Sequence, residues 1–337
     1  MRAHSAVYVD AGYLVAAAAT RVTGTSLRGS VTIDFAALVA GLIGQAEQVS
    51  GLPALRVNWY DAARDGHPDP VQQAIGMLPH VKVRLGRTGL QGEQKGVDLR
   101  IGLDMVAHAR NGAVDTIVLV SGDDDLTEAV EEVQMRGAQV VIFAVPSKTG
   151  APYGLSRNLQ RASDDVVLVD AEMLDAVVTP LGGPTPPRPE DEAADLSADS
   201  ARAPAAQPPS AIPSPADVAA RMGAGLGQSR RDQNPPAVAA VAYSTSSGDE
   251  RDGAIAVSEA DQELIRQVVE RVVASWRSGA GAVERLVAGR VRPSIPRELD
   301  RALLLDLSGA MGVSDLPEPL RIELRAQFWD EFDRVMG

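Results

Sequence analysis

The chain has 337 residues, with 32 basic and 45 acidic side chains, a formal charge of −13 and no cysteine. The lack of thiols excludes disulfide staples, thiolate zinc sites and cysteine-held iron–sulfur clusters, and the four histidines (His4, His67, His80 and His108) make no zinc-binding pair at helical spacing. The acidic balance argues against wrapping of nucleic acid by the whole chain but leaves room for a local basic groove; with no cationic leader and no run of about 18 apolar residues, the expectation is a cytoplasmic protein with no membrane partner.

In chain order, residues 5–10 (SAVYVD) read as a strand that ends in an acid, Asp10. Residues 34–49 carry an apolar-periodic helix with Asp34 as its N-cap. A second strand at 55–61 also ends in an acid, Asp61, and a short helix is predicted at 71–78. A third strand follows at 81–86, then a glycine-rich stretch at 87–96 read as a mobile loop, then a helix at 97–111. The fourth strand, 116–120, runs into the acidic sequence SGDDDL; a helix at 126–136, a fifth strand at 139–144, a brief helix at 156–162 and a last strand at 166–169 complete the alternation. This rhythm predicts an α/β fold of three layers, a mostly parallel central sheet with helices on both faces. Such sheets carry their chemistry at the carboxyl ends of the strands.

Composition changes near residue 180: 12 of the 22 prolines fall between Pro180 and Pro236, amid Ala, Ser, Asp and Gly. Such a segment has too few apolar side chains for a core and lacks backbone donors, so 180–250 is expected to be a disordered linker, with a short helix at 215–226 allowed. Residues 255–337 predict a small all-helical C-terminal domain, with helices at 259–275, 282–288, 296–311 and 317–336 and with Trp276, Trp329 and Phe332 for a core. The expected division is 1–175, 180–250 and 255–337.

The fold would gather acids from separate places in the chain. Asp10 closes the first strand, Asp98 opens the helix before the fourth strand, and Asp123 and Asp125 follow that strand. Clustered carboxylates repel one another unless a cation lies among them, and an all-oxygen set suits Mg²⁺ or Mn²⁺. Asp104 lies six residues beyond Asp98, a net rotation of about 240° on a helix, so it is read as a second-tier ligand or an orienting residue. Asp124 is expected to face solvent or cap, and for Asp61 a turn role weighs at least as much as a chemical one. Lys82, Arg84, Arg87, Lys95 and Arg100 precede the acidic loop, and Lys148, Arg157 and Arg161 follow the fifth strand. Of these, Lys95, Arg87, Lys148 and Arg157 are the expected phosphate contacts, which would position a backbone without reading bases. Tyr13 and Tyr153 are better read as packing than as base-stacking residues.

The segments VYVDAGYL, QKGVDLRIGLDMV, TIVLVSGDDDLTEAVEEVQMRGAQVVIFA and SRNLQRASDDVVLVD together resemble the NYN domain, in its LabA-like branch within the PIN-like nuclease group. The joint pattern K-G-x-D and S-G-D-x-D-[FL] carries the resemblance over residues 5–172. It implies a metal-dependent ribonuclease in which Asp10, Asp98 and Asp123 bind metal and Asp125 assists. Ser121 would steady the metal loop and Lys95 would lie near the substrate backbone. Two positions depart from the pattern: Gly12 stands where many relatives have Asn, and Leu126 where Phe is common.

The resulting expectation is Mg²⁺- or Mn²⁺-dependent hydrolysis of RNA, leaving a 5′-phosphate. The rival is a non-catalytic RNA- or nucleotide-binding module that recruits a protein partner through the C-terminal helices; homodimer formation is left open. An aspartyl-nucleophile phosphatase ranks low because Gly12 occupies the place of its second acid, and a dinucleotide enzyme ranks low because no G-x-G-x-x-G follows the first strand. Abundant Ala, Arg and Gly beside only three lysines suggest a high-GC bacterial source.

Overall fold

Strand β1 (Ser5–Asp10) is buried along its whole length. Side chains alternate across a strand, so Val7 and Val9 join one apolar core while Ala6 and Tyr8 join the other. A strand covered on both faces belongs at the centre of a sheet, and β1 lies there. The computed structural model describes residues 3–63, 67–88, 94–181, 257–281, 288–289, 292–313 and 316–336, with the backbone alone for 87–88 and 94–95. The expected linker from 182 onward, its short helix at 215–226 and residues 282–287 of the helix predicted at 282–288 lie outside the described residues.

The elements after β1 are α1 (Ala11–Thr23), β2 (Val31–Ile33), α2 (Phe35–Ser50), β3 (Ala54–Ala63), α3 (Pro70–Gly76), β4 (Val81–Thr88) and β5 (Gln94–Lys95). Then come α4 (Val97–Arg110), β6 (Thr116–Val120), α5 (Thr127–Gln134), β7 (Gln139–Ala144), α6 (Arg157–Ala162), β8 (Asp165–Leu168), α7 (Ala171–Val177) and β9 (Val178–Pro180). Among the described residues, a seven-stranded sheet has the order β5-β4-β3-β1-β6-β7-β8. All its pairings are parallel except β4 with β5. Helices α1, α2 and α7 cover one face through Leu14, Leu38, Leu42 and Leu174. Helices α4, α5 and α6 cover the other through Ile101, Met105, Val130 and Leu159. The expected three-layer α/β architecture is therefore present.

Three features differ from the sequence-based expectation. Helix α1 had no assigned boundaries; its alanine-rich face is buried, and Asp10 starts it by accepting the Tyr13 amide. A two-stranded antiparallel ribbon, β2 with β9, joins distant segments. The stretch read as a mobile loop at 87–96 is paired at its base, where Arg87 lies opposite Lys95 and Thr88 opposite Gln94. Two-residue pairing leaves no periodicity for a sequence pattern to display.

The C-terminal region is all helical: α8 (Glu259–Gly279), α9 (Arg297–Met311) and α10 (Glu318–Met336). Their buried faces include Val268 and Val272, Leu303 and Leu307, and Phe328 and Phe332, at helical spacing. Trp276, Trp329 and Phe332 form the expected aromatic cluster, joined by Phe328, with ring centroids 5.0–5.8 Å apart. Leu27, which follows α1 in the α/β part, is buried in this same helical core. Residues 1–185 and 255–337 accordingly form one compact unit.

Candidate functional site

Parallel pairing brings the carboxyl ends of β1, β3 and β6 side by side. Asp10 is the last residue of β1 and is only 7 % exposed. Its Oδ1 accepts from the Tyr13 amide at 3.1 Å and its Oδ2 from the Ser121 hydroxyl at 3.4 Å. Burial raises its pKa; the Tyr13 amide and Arg28 oppose that rise, and the charge of Asp123 adds to it. The Gly12 backbone also lowers the Asp10 pKa, so position 12 acts on the site through its main chain.

Ser121 is fully buried just beyond β6. Besides donating to Asp10, its hydroxyl accepts from the Asp123 amide at 3.2 Å, which ties the two strand ends together. Asp123 Oδ1 accepts from the Asp125 amide at 3.1 Å, which sets the short 3-10 turn Asp124–Leu126. Gly122 is required for space: a Cβ there would collide with the Gly154 carbonyl oxygen and lie 2.8 Å from Tyr13 Cε2. The Ser156 amide donates to the Gly122 carbonyl at 2.9 Å and fixes that approach.

Asp98 lies in the first turn of α4. Gly96 is the N-cap, with a left-handed φ of +84° that glycine adopts without strain. Burial, followed by the charges of Asp10 and Asp123 and to a smaller extent Asp125, pushes the Asp98 carboxyl up to about 6. Like-charge neighbours disfavour the ionised form, so Asp98 lies in the fields of Asp10, Asp123 and Asp125, and Asp10 in that of Asp123.

The remaining predicted residues have definite places. Asp104 accepts from the Tyr60 hydroxyl at 3.0 Å and lies 3.5 Å from Arg84 Nε. Beside it, Tyr8 stacks on Tyr60, and the Tyr8 hydroxyl is 2.6 Å from His108 Nδ1. Asp124 is exposed and bonds to Ser156 and Asn158, the solvent-facing role expected of it. Asp61 accepts from Gln72 at 2.8 Å and lies 3.8 Å from Arg28. Lys95 and Arg87 are paired backbone to backbone at the β4–β5 edge. Lys148 is exposed on the turn after β7 and Arg157 is exposed at the start of α6, whereas Arg161 lines a surface hollow with Asp124, Asp125 and Asn158. Tyr13 has a packing role: its hydroxyl donates to the Tyr153 carbonyl at 2.8 Å and accepts from the Val145 amide at 3.2 Å.

Arg28 and Arg301 were not singled out from the sequence. Arg28 lies in a 3-10 turn between α1 and β2 and interacts electrostatically with Asp10. Arg301, on α9, interacts with Asp10, Asp61 and Asp98. An isolated arginine in a helical pattern reads as solvated surface, and no local signal marks either residue.

The donor set fits a hard divalent cation by its chemistry: it is all carboxylate, and it already suffers the repulsion that such a cation relieves. Among the described residues, however, no group of three or more His, Cys, Asp or Glu side chains is drawn together closely enough to hold a metal ion. Cap hydrogen bonds hold Asp10 and Asp123, so joint ligation requires these side chains to close up. No helix among the described residues is long and apolar enough to cross a membrane.

The domain that these strands and acids build is an NYN domain: the model of that family matches residues 5–170. Its architecture is consistent with a nuclease fold family. The chain is also 38 % identical over 80 residues to an uncharacterized protein, y4oD, of Sinorhizobium fredii; the match covers 24 % of this chain and about a third (37 %) of that relative's length.

Proposed function

We propose that the chain is a metal-dependent ribonuclease of the LabA-like branch of the PIN-like group, acting at Asp10, Asp98, Asp123 and Asp125. The observation that carries this reading is Asp98, lifted to about 6 first by burial and then by the charges of Asp10 and Asp123, at the carboxyl edge of an NYN domain. Mg²⁺ or Mn²⁺, when bound, supplies an activated water and offsets phosphoryl charge. Asp10, Asp98 and Asp123 would hold the cation, with Asp125 assisting. Ser121 keeps Asp10 and the Asp123 backbone in register. Lys95 and Arg87 share one sheet edge and would take backbone phosphates, with Lys148 and Arg157 as further cationic contacts. No histidine is assigned as a general base.

The division at 1–175, 180–250 and 255–337, the cytoplasmic location, a protein partner on the C-terminal helices and a homodimer belong to the same proposal. The rival reading, a non-catalytic RNA- or nucleotide-binding module, draws on the open arrangement of the acids. Mn²⁺ titration followed by electron paramagnetic resonance tests the cation site. The free Mn²⁺ signal should fall on adding the full chain and persist on adding Asp98→Asn. Equal behaviour of the two proteins would remove Asp98 from the site.

A further inference from the structure

The C-terminal helices meet the α/β part at the turn that follows α1. The Ser26 amide donates to Asp306 Oδ1 at 2.9 Å, and the Ser26 hydroxyl donates to the Ala302 carbonyl at 3.5 Å. Leu27, next in the chain, is buried among Leu303, Leu307 and Val268. These contacts seat α9 against the turn that carries Arg28. Arg301 directly precedes Ala302, so the same seating fixes its backbone beside that turn.

Arg301 is exposed on α9. It lies in the fields of Asp10, Asp61 and Asp98 and of Arg28. Among the described residues it makes no ion pair. Arg28 lies 3.8 Å from Asp61, and its Nη2 is buried without a hydrogen-bond partner. A buried guanidinium nitrogen without an acceptor costs free energy, and two guanidinium groups held near each other repel. The Arg28 side chain is partly exposed, so an oxyanion between the accessible edges of the two groups relieves their repulsion, and the planar fork of arginine matches phosphate oxygens.

We infer that Arg28 and Arg301 form a two-guanidinium cradle for a backbone phosphate of RNA at the mouth of the acid cluster, so that the C-terminal helices supply part of the substrate site. The ligand class rests on the ribonuclease reading; the cradle rests on the seating of α9. Arg301 is a binding residue in this account, and the carboxylates remain responsible for the cation.

The test measures binding of a fluorescein-labelled oligouridine to the full chain in EDTA by anisotropy at several salt concentrations, with cleavage followed in parallel samples containing Mn²⁺. Arg301→Ala should weaken binding roughly tenfold and flatten the log–log salt slope by about 0.7, the value for one lost phosphate contact on a single strand. Arg28→Ala should do the same, Arg301→Lys should restore part of the affinity, and melting curves should report whether each variant folds. Unchanged affinity and slope in a folded Arg301→Ala protein overturn the cradle, even if the wild type cleaves RNA. Tighter binding or faster cleavage in that variant also overturns it, because Arg301 would then be a plug. Binding lost in the variant while the wild type fails to cleave leaves the cradle standing and sinks the nuclease reading. A wild-type chain that neither binds nor cleaves removes both.

Discussion

Asp98 is the residue where the chemistry of the site is most exposed to measurement. Its carboxyl is raised to about 6 first by burial and then by Asp10 and Asp123. The metal-free folded chain therefore binds a proton more tightly than the unfolded one. The contribution of Asp98 to stability is fully present below the ordinary carboxylate range and is lost as pH rises through about 6. Asp98→Asn removes the ionised form and should raise the metal-free melting temperature at pH 7.5 by about 2–4 °C, a figure discounted because the side chain is half-buried. The gain should vanish at pH 4; a gain independent of pH would contradict the shared field. Bound cation should invert the sign at neutral pH, since it favours the ionised wild-type group. At this scale the four acids stand out in the sequence because Asp10 closes a predicted strand, Asp98 opens a predicted helix, and Asp123 and Asp125 follow a predicted strand. Arg28 and Arg301 were illegible because their positions depend on docking between parts of the chain far apart in sequence.

At the scale of the element, the acidic loop after β6 is held by small residues and one hydroxyl. Gly122 abuts the Gly154 carbonyl, and Ser121 ties the loop to Asp10. Gly122→Ala forces backbone apart and should cost about 1–3 kcal/mol of stability, with cation binding lost along with it, as read by chemical denaturation and Mn²⁺ titration. Stability equal to wild type would show that the 145–156 segment yields freely. The glycine permits a close approach of two backbone segments. Long elements with strong periodicity, such as α2 and α4, were legible in the sequence. The β5 strand and the β2–β9 ribbon were not, because two or three residues carry no period and their partners are remote.

For the whole molecule, the helical region and the α/β part share a core through Leu27. Leu27→Ala should cost about 2–5 kcal/mol if the helices and the sheet unfold together. The check is a thermal melt that stays single and shifts downward; an unshifted melt would mean that the helices contribute nothing to the fold of residues 1–181. The sequence makes the C-terminal region helical but gives no sign of its seat, because the turn that carries Ser26, Leu27 and Arg28 has no local pattern that marks it as a docking point. This seat also argues for assaying the full chain, because removal of the helices exposes Leu27 and takes Arg301 away from the acids.

The most direct measurement is RNA cleavage by the full chain in Mn²⁺ or Mg²⁺, beside EDTA and beside Asp123→Asn, with product ends identified by phosphatase and ligase treatment. The account predicts 5′-phosphate products that appear only with the metal, and turnover abolished in a normally folded Asp123→Asn protein. Full activity in that variant, or RNA that stays intact with every metal while still binding the protein, would contradict it.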